Sequence, residues 1–248
     1  MISNDTIDKH SIGAVIGNKY RLQRLITKGT FSAVYECEHV IKKTMSVIKL
    51  ETNETAKKLM RHEVIMYMSL QKSKIRIPKI KNTGTDGDIQ YIILERLNQS
   101  LKEYKGYISY SELYQQLHLL HNESILHRDI KPDNFVMGFD NKIYMIDLGL
   151  SKFDDGKTTK GFVGNYRYAS PTCFEPIYIY TKKDDIVSLT FMLLDLKYGY
   201  LPWDYEGFDK NRGVINLYRF YPNEPLCEML NLGDDYDQIF KILKKCIL

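Results

Sequence analysis

Residues 127–134 read His127-Arg128-Asp129-Ile130-Lys131-Pro132-Asp133-Asn134, and thirteen residues after Asn134 comes Asp147-Leu148-Gly149. The first stretch offers a carboxylate that can accept a hydroxyl proton, a lysine that can neutralise a phosphate and an amide that can hold a metal. The second offers a metal-binding carboxylate at the end of an apolar run, Ile143-Tyr144-Met145-Ile146, which reads as a short strand. Phosphoryl transfer makes these demands, because its transition state asks for positioning and charge neutralisation rather than covalent chemistry.

Upstream, residues 20–50 alternate in character and are rich in Val, Ile, Tyr and Thr, which predicts strands near 20–27, 33–40 and 44–50. Asn53 can cap a helix over 54–70, where Ala56, Leu59, Met60, Glu63, Met66, Tyr67 and Leu70 recur at helical spacing. Pro78 stops its continuation, Thr83-Gly84-Thr85-Asp86-Gly87 reads as a turn, and Tyr91-Ile92-Ile93-Leu94 reads as a buried strand. Beyond a connection near 95–99 helices dominate. Ser109-Tyr110-Ser111-Glu112 and Thr181-Lys182-Lys183-Asp184 match capping boxes, opening helices to about Asn122 and Lys197; a final amphipathic helix is expected from Asp235 to Leu248.

The chain has 248 residues, room for one large domain or two small lobes. A net charge of +4 falls well short of a nucleic-acid-binding signature. No apolar run approaches the ~20 residues that span a bilayer, and Met1–Gly17 has no apolar core of a signal peptide. Cysteines at 37, 173, 227 and 246 show no paired metal or redox spacing and read as apolar filler in a reducing compartment. The expectations are no nucleic acid, no membrane, a monomer, and a place in cytoplasm or nucleus.

On these motifs the chain resembles a eukaryotic protein kinase, with the motifs in family order from about residue 20 to about residue 204. The resemblance implies a bilobal α+β fold in one kinase domain. Residues 1–97 would be an N-lobe, an antiparallel sheet with one helix, of which 1–19 are an N-terminal extension. Residues 98–248 would be a mainly helical C-lobe with the catalytic loop, activation segment and substrate groove.

It further implies that Asp129 is the base, that Lys131 reaches the transferred phosphate and that Asn134 and Asp147 bind Mg²⁺. The Asp-x-Lys-Pro-x-Asn form is similar to that of serine/threonine kinases. Lys49 would hold the α- and β-phosphates of ATP with Glu63 as its partner; either residue alone reads more readily as a solvated surface charge, and it is the two together, in frame with the other motifs, that point to the pair. Ile26, Thr27, Lys28, Gly29, Thr30, Phe31, Ser32, Ala33 and Val34 would form the lid over the nucleotide. Val47, Leu94 as gatekeeper, Glu95 and Leu97 at the hinge, and Val136 would line the site.

The chain departs from the family in three places. Only Gly29 remains of the three glycines of the lid, Thr27 and Ser32 replacing the outer two, which predicts a stiffer lid because glycine lets backbone N–H groups approach phosphates. Val47 stands where the family usually has Ala and would narrow the adenine slot. Leu148 stands where it usually has Phe.

Within the family, Ile48-Lys49-Leu50-Glu51, Asp133-Asn134-Phe135-Val136-Met137-Gly138, Arg167-Tyr168-Ala169-Ser170, Lys182 to Leu189 and Leu201-Pro202-Trp203 resemble casein kinase 1 in a shortened form. That branch implies that Asp185 is a buried aspartate supporting the catalytic loop, whereas Asp184 suits an exposed charge at a helix start. It favours acidic or pre-phosphorylated substrates, which Arg167, Lys182 and Lys183 could bind, with Lys157 and Lys160 nearby; a merely solvated basic face is the alternative. Arg128 could pair with a phosphorylated Thr158, Thr159 or Tyr166.

The expected function is thus an ATP- and Mg²⁺-dependent serine/threonine kinase of protein substrates. The alternative is a pseudokinase, a binding or scaffold protein with weakened ATP binding, favoured by the degraded lid and opposed by the intact catalytic residues. A small-molecule kinase of related fold is a third reading, opposed by the length of the motif match.

Overall fold

The computed structural model describes residues 12–29, 32–201 and 204. Thr30 and Phe31 of the expected lid, Pro202 and Trp203, the first eleven residues and the helix expected over 235–248 lie outside them. The chain divides into two compact units: residues up to Gln99 together with Val136–Gly149, and Ser100–Phe135 together with the residues from Leu150 on.

The first unit holds a six-stranded antiparallel sheet in the order β1-β2-β3-β4-β6-β5: β1 (Val15–Ile16), β2 (Tyr20–Lys28), β3 (Ser32–His39), β4 (Met45–Glu51), β5 (Ile80–Asp86) and β6 (Ile89–Leu94). Period-two alternation explains which side chains reach its core. Ala33, Tyr35 and Cys37 of β3 and Ile48 and Leu50 of β4 are buried with Leu22, Tyr91 and Ile93. The intervening positions of β4 put Val47 and Lys49 on the other face, where both are half-buried. Ile16 is 1% exposed and pairs with Tyr20, so part of the expected N-terminal extension is an edge strand of the sheet.

The turn expected over 83–87 is displaced. Residues 83–86 belong to β5, and the chain reverses at Gly87, whose φ is +56°. Gly84 is a strand residue because the Tyr91 ring lies where its Cβ would be. The Asp86 carboxylate accepts the Gly17 N–H at 2.8 Å.

Helix α1 (Glu54–Ser69) starts as expected, with Asn53 accepting the Thr55 N–H at 2.8 Å. It buries Met60, Glu63, Met66 and Tyr67, so one carboxylate stands in an otherwise apolar stripe.

In the second unit α2 (Tyr110–Asn122) is capped by Ser109 and buries Leu113, Gln116, Leu117, Leu120 and His121. Helix α3 (Lys182–Tyr198) opens on the predicted capping box and ends at Gly199, whose φ of +79° suits glycine. Short ladders complete the strands: β7 (Ile125–Leu126) with β10 (Lys152–Phe153) and β11 (Thr159–Lys160) with β12 (Ile177–Tyr178) in this unit, and, in the first unit but for Phe135, β8 (Phe135–Met137) with β9 (Ile143–Met145). Cys37 and Cys173 are buried and take part in no disulfide. Among the described residues no helix is long and apolar enough to cross a membrane.

Candidate active site

The first unit brings together three of the predicted residues. Lys49 Nζ donates to Glu63 Oε2 at 2.9 Å and lies 3.3 Å from Asp147 Oδ1. β4 supplies the lysine on its less buried face, and the apolar stripe of α1 delivers Glu63, 1% exposed. Burial opposes the ammonium charge, yet the charges of Glu63 and Asp147 and the Glu63 hydrogen bond outweigh it, and the Lys49 pKa rises well above its ordinary value.

Asp147 adopts φ +56°, a conformation that costs a non-glycine residue energy and recurs at functional sites. Its N–H donates to the Tyr67 hydroxyl at 3.1 Å. Tyr67 lies four residues after Glu63 on the same buried face of α1, a spacing that could have revealed it. Leu148 is fully buried, as expected of an apolar residue replacing Phe. Glu51 also stands near Lys49: it is 4% exposed, and its Oε2 has no hydrogen-bond partner among the described residues.

The other predicted nucleotide residues of this unit are less uniform. Thr27 and Val34 pair across β2 and β3, and Lys28 pairs with Ala33. Ala33 is 1% exposed and belongs to the sheet core, so its side chain is packing rather than lining. Ile26 is exposed. Gly29 donates its N–H to the Ser32 carbonyl at 2.8 Å without positive φ, and a Cβ there would come within 2.8 Å of the Ser32 hydroxyl oxygen. Val47 pairs with Leu94 across β4 and β6, and Leu94 and Val136 are both 8% exposed. The Glu95 N–H donates to the Lys79 carbonyl at 2.8 Å, and Leu97 is half-buried. The hinge backbone is pinned by Asn98 N–H to the Met137 carbonyl and Met137 N–H to the Gln99 carbonyl.

The second unit brings together the other three. Asp129 Oδ2 accepts from Lys131 Nζ at 2.6 Å and from Asn134 Nδ2 at 2.9 Å, and the same amide nitrogen donates to the Asp129 carbonyl at 2.8 Å. A 3-10 turn over Pro132–Asn134 carries Asn134 back to the aspartate. With Oδ2 held twice, Oδ1 is the Asp129 oxygen without a partner among the described residues. The Asn134 amide oxygen in the second unit and the Asp147 carboxylate in the first are each oxygen donors of the kind Mg²⁺ takes.

Asp185 is fully buried and accepts from the N–H groups of His127 at 2.8 Å and Arg128 at 2.9 Å and from the Tyr180 hydroxyl at 2.8 Å. His121 Nε2 lies 2.9 Å from Asp185 Oδ2, the oxygen that also accepts the His127 N–H. Burial pushes its pKa up, but these hydrogen bonds and the charges of His121 and His127 prevail and hold it below the usual carboxylate range. The neighbouring expectation fails: Asp184 is 4% exposed, not a solvated helix-start charge, because it accepts from Ser170 Oγ at 2.7 Å and closes the Thr181 box.

Arg128 adopts φ +67° and donates Nε to the Leu150 carbonyl at 2.7 Å. Of its suggested phosphorylated partners, Thr159 is buried in β11, Tyr166 stacks on Phe162 at 3.9 Å, and Thr158 is exposed. Arg167 is engaged rather than open to a substrate phosphate: its Nη2 meets Asp195 Oδ1 at 2.6 Å and Asp204 Oδ2 at 2.7 Å. Lys182 and Lys183 are exposed. His121, Tyr180, Asp195 and Asp204 carry no motif signal, being brought in by tertiary folding.

A family model described as a protein kinase domain matches residues 20–225. Among solved structures, the crystal structure of a kinase domain superposes with a TM-score of 0.66 at 19% identity, over 80% of this chain and 69% of that one.

Proposed function

Because the chain belongs to the protein kinase domain family, and is thereby a phosphotransferase, we propose that it transfers the γ-phosphate of ATP to serine or threonine of protein substrates, in the manner of a shortened casein kinase 1. The observation that carries this reading is the Asp129 carboxylate held by Lys131 and Asn134.

Asp129 orients the acceptor hydroxyl through Oδ1 and takes its proton, a role worth typically 10²–10⁴-fold in rate. Lys131, already beside Asp129, moves its ammonium toward charge that develops on the transferred group. Lys49, held charged by Glu63 and Asp147, binds phosphate oxygens. Asp147 and Asn134 would hold Mg²⁺, which when bound neutralises the phosphates. Asp185 fixes the backbone at His127 and Arg128, and through it the position of Asp129. The Lys131 and Pro132 pattern supports serine/threonine over tyrosine specificity.

Transfer from radiolabelled ATP to casein, comparing wild type with Asp129→Asn, tests the proposal. Wild type should label casein and the variant should lose at least ~10²-fold. Labelling that survives Asp129→Asn sinks the mechanism. ATP binding without transfer to any protein would favour the pseudokinase reading, which the loss of two lid glycines supports.

A further inference from the structure

The basic residues expected to read an acidic or phosphorylated substrate do not behave alike. Arg167 is the only arginine among them, and arginine's planar fork is what suits a phosphate; Lys182 and Lys183 meet anions as point charges on flexible stems. Yet the Arg167 guanidinium already contacts two carboxylates of this chain. Asp195, near the end of α3, is 16% exposed and also accepts the Tyr168 hydroxyl at 2.6 Å. Asp204 is itself fastened, its Oδ2 accepting the Leu201 N–H at 2.7 Å and its own N–H donating to the Leu201 carbonyl at 2.9 Å. The Arg167 backbone is held as well, its N–H donating to Asn165 Oδ1 at 2.9 Å.

One guanidinium against two carboxylates leaves the cluster at a formal charge of −1. Both contacts are made by Nη2, so a phosphate carrying nearly two negative charges that reached Arg167 would either displace a carboxylate or lie beside both. Like charges at such range disfavour binding, and displaced Asp195 would leave a largely buried charge short of its partner.

We infer that Asp195 and Asp204 act as in-chain substitutes for a substrate phosphate and are specificity determinants: the chain takes unphosphorylated segments and does not read a priming phosphate at Arg167. This rests on the protein-kinase reading for its meaning, but it is tested first by binding. Fluorescently labelled serine peptides, each with phosphoserine or serine at one flanking position in turn, are titrated against wild type, Asp204→Asn and Asp195→Asn/Asp204→Asn, with circular dichroism to check folding. Wild type should bind phosphorylated and plain peptides within ~2-fold, and removing the carboxylate charges should tighten the phosphopeptide on the order of tenfold, the gain of one charge-assisted hydrogen bond. Asp204→Asn leaves the Asp195–Tyr168 contact in place and serves if the double variant does not fold. Wild type that prefers a phosphopeptide tenfold or more, with the preference lost in Arg167→Ala, overturns the inference. So does a lack of change in a folded Asp204→Asn or double variant. The same peptides used as acceptors give a second readout, and absence of transfer to any of them bears on the kinase reading alone, since the binding result stands without turnover.

Discussion

The Tyr67 hydroxyl accepts the backbone N–H of Asp147 at 3.1 Å, tying a buried helix residue to a carboxylate held at φ +56°. Tyr67→Phe keeps the ring and removes the acceptor. Stability should fall by about 1 kcal/mol, the net worth of one hydrogen bond, and phosphoryl transfer should fall several-fold more than stability requires. Urea unfolding and casein labelling measured together check this; full activity in Tyr67→Phe would show that Asp147 holds its conformation without help.

The Lys49–Glu63 pair predicts an asymmetry. Lys49→Met leaves Glu63, 1% exposed, without its closest positive charge, and should cost about 3–5 kcal/mol. Lys49→Met/Glu63→Leu replaces the pair by apolar groups and should recover most of that loss while remaining inactive. Denaturant midpoints decide it: a double variant no more stable than the single one would locate the cost elsewhere.

Glu51 should make stability depend on pH. Burial pushes its carboxyl up to about 7, with Glu63 and Asp147 adding to the shift and Lys49 opposing it. Below its ordinary value of 4.5 the group is neutral in both folded and unfolded chains and costs nothing. As pH rises, the unfolded chain ionises first, so stability is lost progressively up to about pH 7, by on the order of 1–3 kcal/mol. Glu51→Gln should therefore be more stable than wild type at about pH 8 and equal to it at about pH 4.5. Unfolding curves at the two pH values provide the measurement, and a difference of equal size at both would argue for a packing effect.

Gly164 has φ +106°, and a Cβ there would run into the backbone carbonyl of Arg128. Gly161, at φ +69°, has open space around the same position. Gly161→Ala should cost about 1 kcal/mol for backbone strain alone, whereas Gly164→Ala should cost more and should depress casein labelling, because Asp129 follows Arg128 directly. Equal thermal shifts for the two variants would remove the close approach as a cause.

The local chemistry was legible in the sequence where one element carries it. The 127–134 stretch contains Asp129, Lys131 and Asn134 within a few residues, and they do contact one another. The alternation of β4 and the caps at Asn53, Ser109 and Thr181 were equally local. Misreadings arose where a distant residue decides. Gly84 looked like a turn because the Tyr91 ring that excludes a side chain is unseen in the string. Asp184 looked solvated because Ser170 covers it, and Arg167 looked available because its two carboxylates lie 28 and 37 positions downstream.

The allotment of Val136–Gly149 to the first unit has a bearing on how the gene can be cut. The polypeptide passes between units at Gln99–Ser100, at Phe135–Val136 and again at Gly149–Leu150. A fragment ending at residue 97 would keep Lys49 and Glu63 but forfeit Asp147, the Met137 bonds that pin the hinge, and the Met145 N–H bond to the Arg76 carbonyl. No single scission yields both units whole. Splitting this protein for complementation or domain exchange requires carrying residues 136–149 as an insert with the first half, and the second half would then need its two severed ends rejoined.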